Sequence, residues 1–265
     1  MDYVVAAILA VVEGITEFLP ISSTGHMILV ENWLQFRQGE SFSNAFMVII
    51  QLPAILSVVV YFWREIWPWG SERGAEATFR LWSKILVAFL PAAALGFLLD
   101  DWIDAHLFNP VTVASALVVG GVILILLEWR HKEGEVESAH DLGYGRALTI
   151  GFLQCIAMIP GTSRSAATII GAMAIGCSRR AAAEFSFFLA IPTMTGACGL
   201  KILKGGFNFT GEQWALLALG SVLSFIVAYG VIALFMSYIR RYSFVPFGWY
   251  RIVLGGLVLA LWLVG

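Results

Sequence analysis

Charge is what this sequence has least of. Asp, Glu, Lys and Arg make up 13% of its 265 residues, against roughly 25% in an ordinary soluble domain. Hydrophobic residues make up 59% and aromatics 14%. So few charges cannot cover a water-facing surface, which excludes a soluble globule and makes a bilayer the solvent the chain needs. Cysteine is scarce as well. Cys155, Cys177 and Cys198 lie in or beside apolar stretches without Cys-x-x-Cys spacing, which argues against both a disulfide framework and a metal cluster; they read as small core residues. There is no excess of positive charge: 16 Lys plus Arg against 18 Asp plus Glu leave a net charge of -2, so no nucleic-acid partner is expected. The N-terminus lacks the basic region of an export signal, and Glu13 and Glu17 interrupt its first apolar run. The first segment is therefore expected to belong to the mature protein.

What is present is long apolar sequence. Stretches free of Asp, Glu, Lys and Arg cover 41–63, 85–99, 105–127, 185–200, 213–239 and 252–265, and each has or can be extended to the roughly 20 residues that cross hydrocarbon. Two other apolar regions, 3–36 and 142–178, are broken midway by Pro20-Ile21-Ser22-Ser23-Thr24-Gly25-His26 and by Pro160-Gly161-Thr162-Ser163-Arg164-Ser165. Each half is short for a crossing, so re-entrant helix-break-helix hairpins are expected. Irregular backbone at membrane depth survives only against protein or a wet cavity, so the two breaks should line one.

The breaks also mark a repeat. Pro20 precedes Pro53 by 33 residues and Pro160 precedes Pro192 by 32, and Gly120-Gly121 in one half answers Gly255-Gly256 in the other. The expectation is an all-α integral membrane protein, one domain over 1–265, with six transmembrane helices and two re-entrant hairpins. These form two inverted-topology repeats, 1–135 and 140–265, as in many transporters. The charges expected in loops orient the chain: one face receives Arg64, Arg73, Arg80, Lys84, Arg130, Lys132, Arg146, Arg179, Arg180, Arg240 and Arg241, while the other receives Arg37, Lys201 and Lys204 and the acidic loop from Asp100 to Asp104. Eleven against three makes the first face cytoplasmic and puts both termini, and the acidic run Asp100-Asp101-Trp102-Ile103-Asp104, outside. The segment Arg130–Asp141 reads as a solvated loop.

Few polar residues remain to carry chemistry. Glu13 and Glu17 are four apart and share a helix face; inside a membrane such acids are functional by default. Oxygen ligands alone suit a hard divalent cation, Mg²⁺ or Ca²⁺, shared with a substrate phosphate, unless the pair simply sits in water at the interface. Ser22, Ser23 and Thr24 include an N-cap for the following helix, but three hydroxyls beside His26 exceed that need and suit nucleophile and base. Arg164 is the sole charge between Ala147 and Ser178 and requires an anion. Its fork grips phosphate oxygens, with Ser163, Ser165 and the helix start after Pro160-Gly161 as further donors. Thr168 follows on the Arg164 face. The structural alternative is an ion pair between Arg164 and Glu13 or Glu17. Gln51, beside Pro53, and Glu184, near the start of a span, read either as residues supporting the site or as helix-packing residues, with packing favoured.

The runs EGITEFLPISSTGH and PGTSRSAAT, with EFSFFLAIP and FVPFGWYR, closely resemble the bacterial undecaprenyl-diphosphate phosphatases of the bacitracin-resistance type, and the resemblance covers essentially the whole chain. It implies a divalent-cation-dependent hydrolase of the bacterial inner membrane, taking a polyprenyl diphosphate lipid at a site open to the periplasm. It also implies recycling of the lipid carrier for peptidoglycan, bacitracin resistance and a homodimer of inverted repeats. On matching positions it implies Glu13 and Glu17 as the acidic pair, Ser23 and His26 as nucleophile and base, and Arg164 as the phosphate-binding arginine. Ser163 and Thr168 match the flanking hydroxyls, with Ser22, Thr24, Gly161 and Ser165 completing the expected substrate contacts. Either Ser23 or a water activated by His26 attacks. The competing reading is a flippase for undecaprenyl phosphate or another anion carrier on the same inverted-repeat site.

Overall fold

The computed structural model describes residues 1–31, 34, 36–69, 73–130, 134–205 and 209–264. Among them the regular structure is helical, with one isolated bridge. The α-helices are α1 (Asp2–Thr16), α2 (Ser23–Glu31), α3 (Glu40–Tyr61), α4 (Trp63–Ile66), α5 (Ala75–His106), α6 (Pro110–Arg130), α7 (Tyr144–Gln154), α8 (Arg164–Ala174), α9 (Arg179–Gly205), α10 (Gly211–Tyr238) and α11 (Val245–Val264). Six of them, α3, α5, α6, α9, α10 and α11, are long and apolar enough to cross a membrane, and each overlaps one of the predicted runs. The protein is multi-pass. Helices satisfy their own backbone, which is what hydrocarbon demands.

Polar residues set the helix starts. Thr210 and Gln213 form a capping box at α10, Asn109 Oδ1 accepts the Thr112 N–H at 2.9 Å just before Pro110 opens α6, and Ser178 Oγ accepts the Ala181 N–H at 3.1 Å for α9. Pro53, Pro91 and Pro192 lie inside α3, α5 and α9, where the missing N–H weakens the ladder and bends the helix.

α11 packs along α6, α10 along α1 and α3, α5 along α7, and α9 against α3 and α8. The larger core is aromatic: Phe18, Phe62, Phe187 and Phe188 are buried together, with edge contacts of 5.5 Å for Phe18–Phe187 and 5.1 Å for Phe62–Phe188. Large apolar residues such as Leu90, Leu98, Leu234 and Val253 are exposed, as a lipid-facing surface requires.

Three expectations need correction. The acidic run from Asp100 to Asp104 is not a loop but the last turns of α5. Lys84, expected in a loop, is buried within α5, its Nζ donating to the His140 carbonyl at 2.7 Å. The segment up to Asp141 is no freely solvated loop in its described part. Val136 exchanges backbone bonds with Gly176 (3.2 Å) and Ser178 (2.8 Å), and the Ala139 N–H donates to buried Glu184. Local hydrophilicity hid a strand-like tether whose partners come from later sequence. Glu128 at the end of α6 is also buried, taking Arg179 in a fork at 2.7 and 2.8 Å and the Phe244 N–H at 2.7 Å. Lys132 lies outside the described residues, as does the Lys204 side chain.

Candidate active site

The two breaks are built alike. Ser22 and Ser163 each precede the second helix and each has φ +71°, a left-handed conformation uncommon outside glycine and typical of functional sites. Ser22 Oγ accepts from the Gly25 N–H at 3.4 Å and Ser163 Oγ from the Ala166 N–H at 3.2 Å, so each caps its helix three residues on. Gly161 (φ +91°) runs against the Val113 backbone with no room for a Cβ, which makes glycine obligatory there.

The breaks bring opposite charges together. Arg164 Nη2 donates to Glu17 Oε1 at 3.2 Å and to Met194 Sδ at 3.0 Å, and Nη1 donates to the Ser186 carbonyl at 3.2 Å. Its Nε is buried without a partner. Ser23 Oγ donates to the other Glu17 oxygen, Oε2, at 2.8 Å. One turn earlier Glu13 is buried, and its Oε1 has no partner either. A buried polar atom left unpaired costs about 1–3 kcal/mol, and both of these atoms belong to side chains at the Glu17–Arg164 contact.

A cavity of about 550 Å³ opens over this pair. Glu17, Ser22, Ser23, Thr24, Gly161, Ser163 and Arg164 line its polar wall; Phe89, Phe97, Met158 and Leu200 line the apolar one. Gln51, predicted as a packing residue, and Lys201, predicted in a loop, also reach it. Glu184 is structural, as its bonds to Ala139 and Arg180 attest.

Four sequence-predicted residues do not line the cavity. Glu13 lies behind Glu17. His26 is held elsewhere, Nδ1 on the Ser22 carbonyl at 2.7 Å and Nε2 on the Tyr250 hydroxyl at 2.7 Å, with the two rings stacked. The expected Ser23–His26 pairing is therefore replaced by Ser23–Glu17, because the carbonyl one turn back captures the imidazole. Ser165 and Thr168, expected on substrate, are fully buried scaffold. Ser165 Oγ ties the second break to the first through the Leu19 carbonyl at 2.8 Å, and Thr168 bonds Ser186 Oγ at 2.6 Å.

Sequence reasoning missed Arg251. It is fully buried in α11, and its guanidinium donates to the carbonyls of Pro20 (3.3 Å), Gly161 (3.3 Å), Ala116 (3.2 Å) and Leu117 (3.4 Å). It thus fastens both breaks to α6, passing Gly120, where a Cβ would collide with it. The available signal was a lone arginine within the last apolar helix, beside a glycine pair in α6.

Six crossing helices around an internal cavity with a buried carboxylate–guanidinium pair define an integral membrane protein with a polar site inside the bundle. Residues 6–257 match the family model described as Bacitracin resistance protein BacA, and the chain belongs to that family. It is 54% identical over 261 residues to the Undecaprenyl-diphosphatase of Fusobacterium nucleatum, covering 96% of this chain and 98% of the relative. It is 50% identical over 258 residues to Undecaprenyl-diphosphatase 1 of Clostridioides difficile, covering 96% and 94%, and 50% identical over 258 residues to the Undecaprenyl-diphosphatase of Enterococcus faecalis, covering 95% and 94%.

Proposed function

We propose that this protein hydrolyses undecaprenyl diphosphate to undecaprenyl phosphate and inorganic phosphate within the bacterial inner membrane, recycling the carrier for peptidoglycan synthesis and conferring bacitracin resistance. The observation that carries the reading is Arg164, partly exposed at the cavity wall with an unused Nε and a carboxylate partner that an incoming phosphate can displace. The apolar wall suits the first prenyl units. The relatives' activity at about half sequence identity supports the same assignment.

The proposed chemistry follows the hydrogen bonds. The terminal phosphate takes the Arg164 fork, freeing Glu17 Oε1. Ser23 passes its proton to Glu17 Oε2 as Oγ attacks the terminal phosphorus, the bridging P–O bond breaks, and undecaprenyl phosphate leaves. Water then attacks the phosphoserine and releases inorganic phosphate, the proton on Glu17 returning to Ser23. Fixed charge and positioning supply most of the rate in phosphoryl transfer. His26, held by Tyr250, positions the Ser22 cap and with it Ser23. A divalent cation fits Glu13 and Glu17: both offer hard oxygen ligands one turn apart, and Glu13 has a buried oxygen with nothing to bind. When bound there, Mg²⁺ or Ca²⁺ would neutralise diphosphate charge.

Packing supports the inverted-repeat arrangement. Exchanging α1, α2, α3, α5 and α6 for α7, α8, α9, α10 and α11 turns the α1–α10 contact into α7–α5 and α3–α10 into α9–α5, and both are present. The paired left-handed serines obey the same exchange. On this reading α1–α2 and α7–α8 are re-entrant and both termini are periplasmic. The cavity, lined by the C-terminal halves of α5 and α9, opens to the periplasm. A homodimer is proposed from the family resemblance, and cross-linking in native membranes tests it.

Phosphate release from undecaprenyl diphosphate by the purified protein in detergent is the test. Turnover that Arg164→Ala abolishes supports the proposal, and full turnover in that variant overturns it. Loss of turnover with chelator, restored by Mg²⁺ or Ca²⁺, tests the cation separately. The same packing symmetry favours a second reading, transport of undecaprenyl phosphate, for which flipping in proteoliposomes without hydrolysis is the discriminating result.

A further inference from the structure

A second cavity, about 560 Å³, lies at the other end of α9. Its lining includes Arg180, at the start of that helix, whereas the first cavity begins at Thr193. Thirteen residues of helix, about 20 Å, separate the two, and nothing in the proposed hydrolysis uses the second.

Its lining is basic and aromatic. Arg64, Arg73, Arg180 and His140 share the lining with one acid, Glu65, and with Trp63, while Asp141 and Glu184 pair with Arg73 and Arg180. Arg180 donates Nε to Glu184 at 2.6 Å, and Arg73 pairs with Asp141 at 3.6 Å. His140 is the telling residue. It is only 9% exposed, and neither ring nitrogen has a partner in hydrogen-bond geometry. Burial, reinforced by the nearby Arg73 and Lys84 cations, holds its pKa below the usual value. The ring is therefore neutral at pH 7, and the Ala77 backbone beside it stands outside hydrogen-bond geometry. Guanidinium forks and an N–H donor around one hollow are the recognition set for phosphate oxygens.

The rim indicates where that phosphate resides. Trp63 and Trp67 stack at 4.4 Å, Trp69 packs edge-on to Trp67 at 5.3 Å, and all three are exposed. Such a cluster at the end of a crossing helix sits at headgroup depth.

We propose that the hollow formed by Arg64, Arg73, Arg180 and His140 is a binding site for the phosphate of an anionic phospholipid headgroup, separate from the hydrolytic cavity. The lipid phosphate accepts from the His140 N–H and the arginine forks while its acyl chains run down the outside of α3 beside Val60. Neutral-headgroup lipids, whose phosphate is already paired with an ammonium, bind less well.

Native mass spectrometry of the full chain, exchanged into detergent with equal phosphatidylglycerol and phosphatidylcholine, tests this. One phosphatidylglycerol should be retained by the wild type and equally by Arg164→Ala, which separates this site from the first cavity. Arg64→Gln with Arg73→Gln should weaken retention by about tenfold or more while leaving hydrolysis and melting temperature unchanged. His140→Gln, which keeps a donor, should retain more than His140→Phe. Displacement of the lipid by inorganic phosphate on the Arg164→Ala background fits the shared chemistry. Phosphate binding without lipid retention overturns the headgroup assignment, and equal retention of the two lipids, or by the double variant, overturns the site.

Discussion

Two arginines sit inside this bundle, Arg251 fully buried and Arg164 partly exposed, and they keep opposite company. Arg251 is surrounded by carbonyls that take its donors and fasten both helix breaks to α6. Arg164 has one carboxylate, one carbonyl and a thioether, and one donor left with nothing. A guanidinium whose donors are met stabilises a fold; one with a donor unmet, as the proposed function requires, has capacity for a ligand. Both carry the same charge inside the bundle, so under the proposed function it is the hydrogen-bond partners that separate the structural arginine from the substrate-binding one.

Mutation can break that contrast. The largest effect is expected for Arg164→Ala, a fall of about 10³-fold in kcat with little change in melting temperature, measured by phosphate release and thermal unfolding in detergent. Ser23→Ala should lower kcat by about 10²-fold or more. The unchanged rate expected of a water nucleophile in its place would instead leave Glu17 acting on that water. Arg251→Met should reverse the pattern, costing about 3 kcal/mol of stability by leaving buried carbonyls unpaired, with activity lost in proportion to folded protein. If it instead leaves melting unchanged and stops turnover, the contrast fails. His26→Gln should lower kcat by less than about tenfold, since His26 acts through Ser22 and not on the phosphate; a 10³-fold loss would restore it as base. Smallest of all, Cys177 should resist maleimide at pH 8. Burial pushes its thiol up to about 11, so it stays protonated, and labelling should rise only as pH approaches that value or on unfolding.

The six crossing helices and both breaks were legible because apolar length and proline are local properties, and so was the approach of Arg164 to the acids, since an isolated intramembrane charge needs an opposite one. The partner of each polar group was not legible. Ser23 and His26 are three apart, which invites a pairing, but the choice fell to Tyr250, more than two hundred residues away, and to Glu17. Ser165 and Thr168 sit in a run that looks like a phosphate cradle, but helix α8 turns them inward to Leu19 and Ser186. Arg251 was hidden because carbonyls, its partners, belong to every residue and leave no trace in side-chain chemistry.

The resting Glu17–Arg164 contact has a selective consequence. A built-in anion already occupies the guanidinium, so a visitor gains nothing by replacing it unless it brings more charge than one carboxylate. Chloride or a carboxylic acid fails that comparison, whereas a doubly charged phosphate passes. On the proposed mechanism the side chain that would accept the serine proton would therefore also act as a threshold, keeping abundant small monoanions out of a cavity they are small enough to enter.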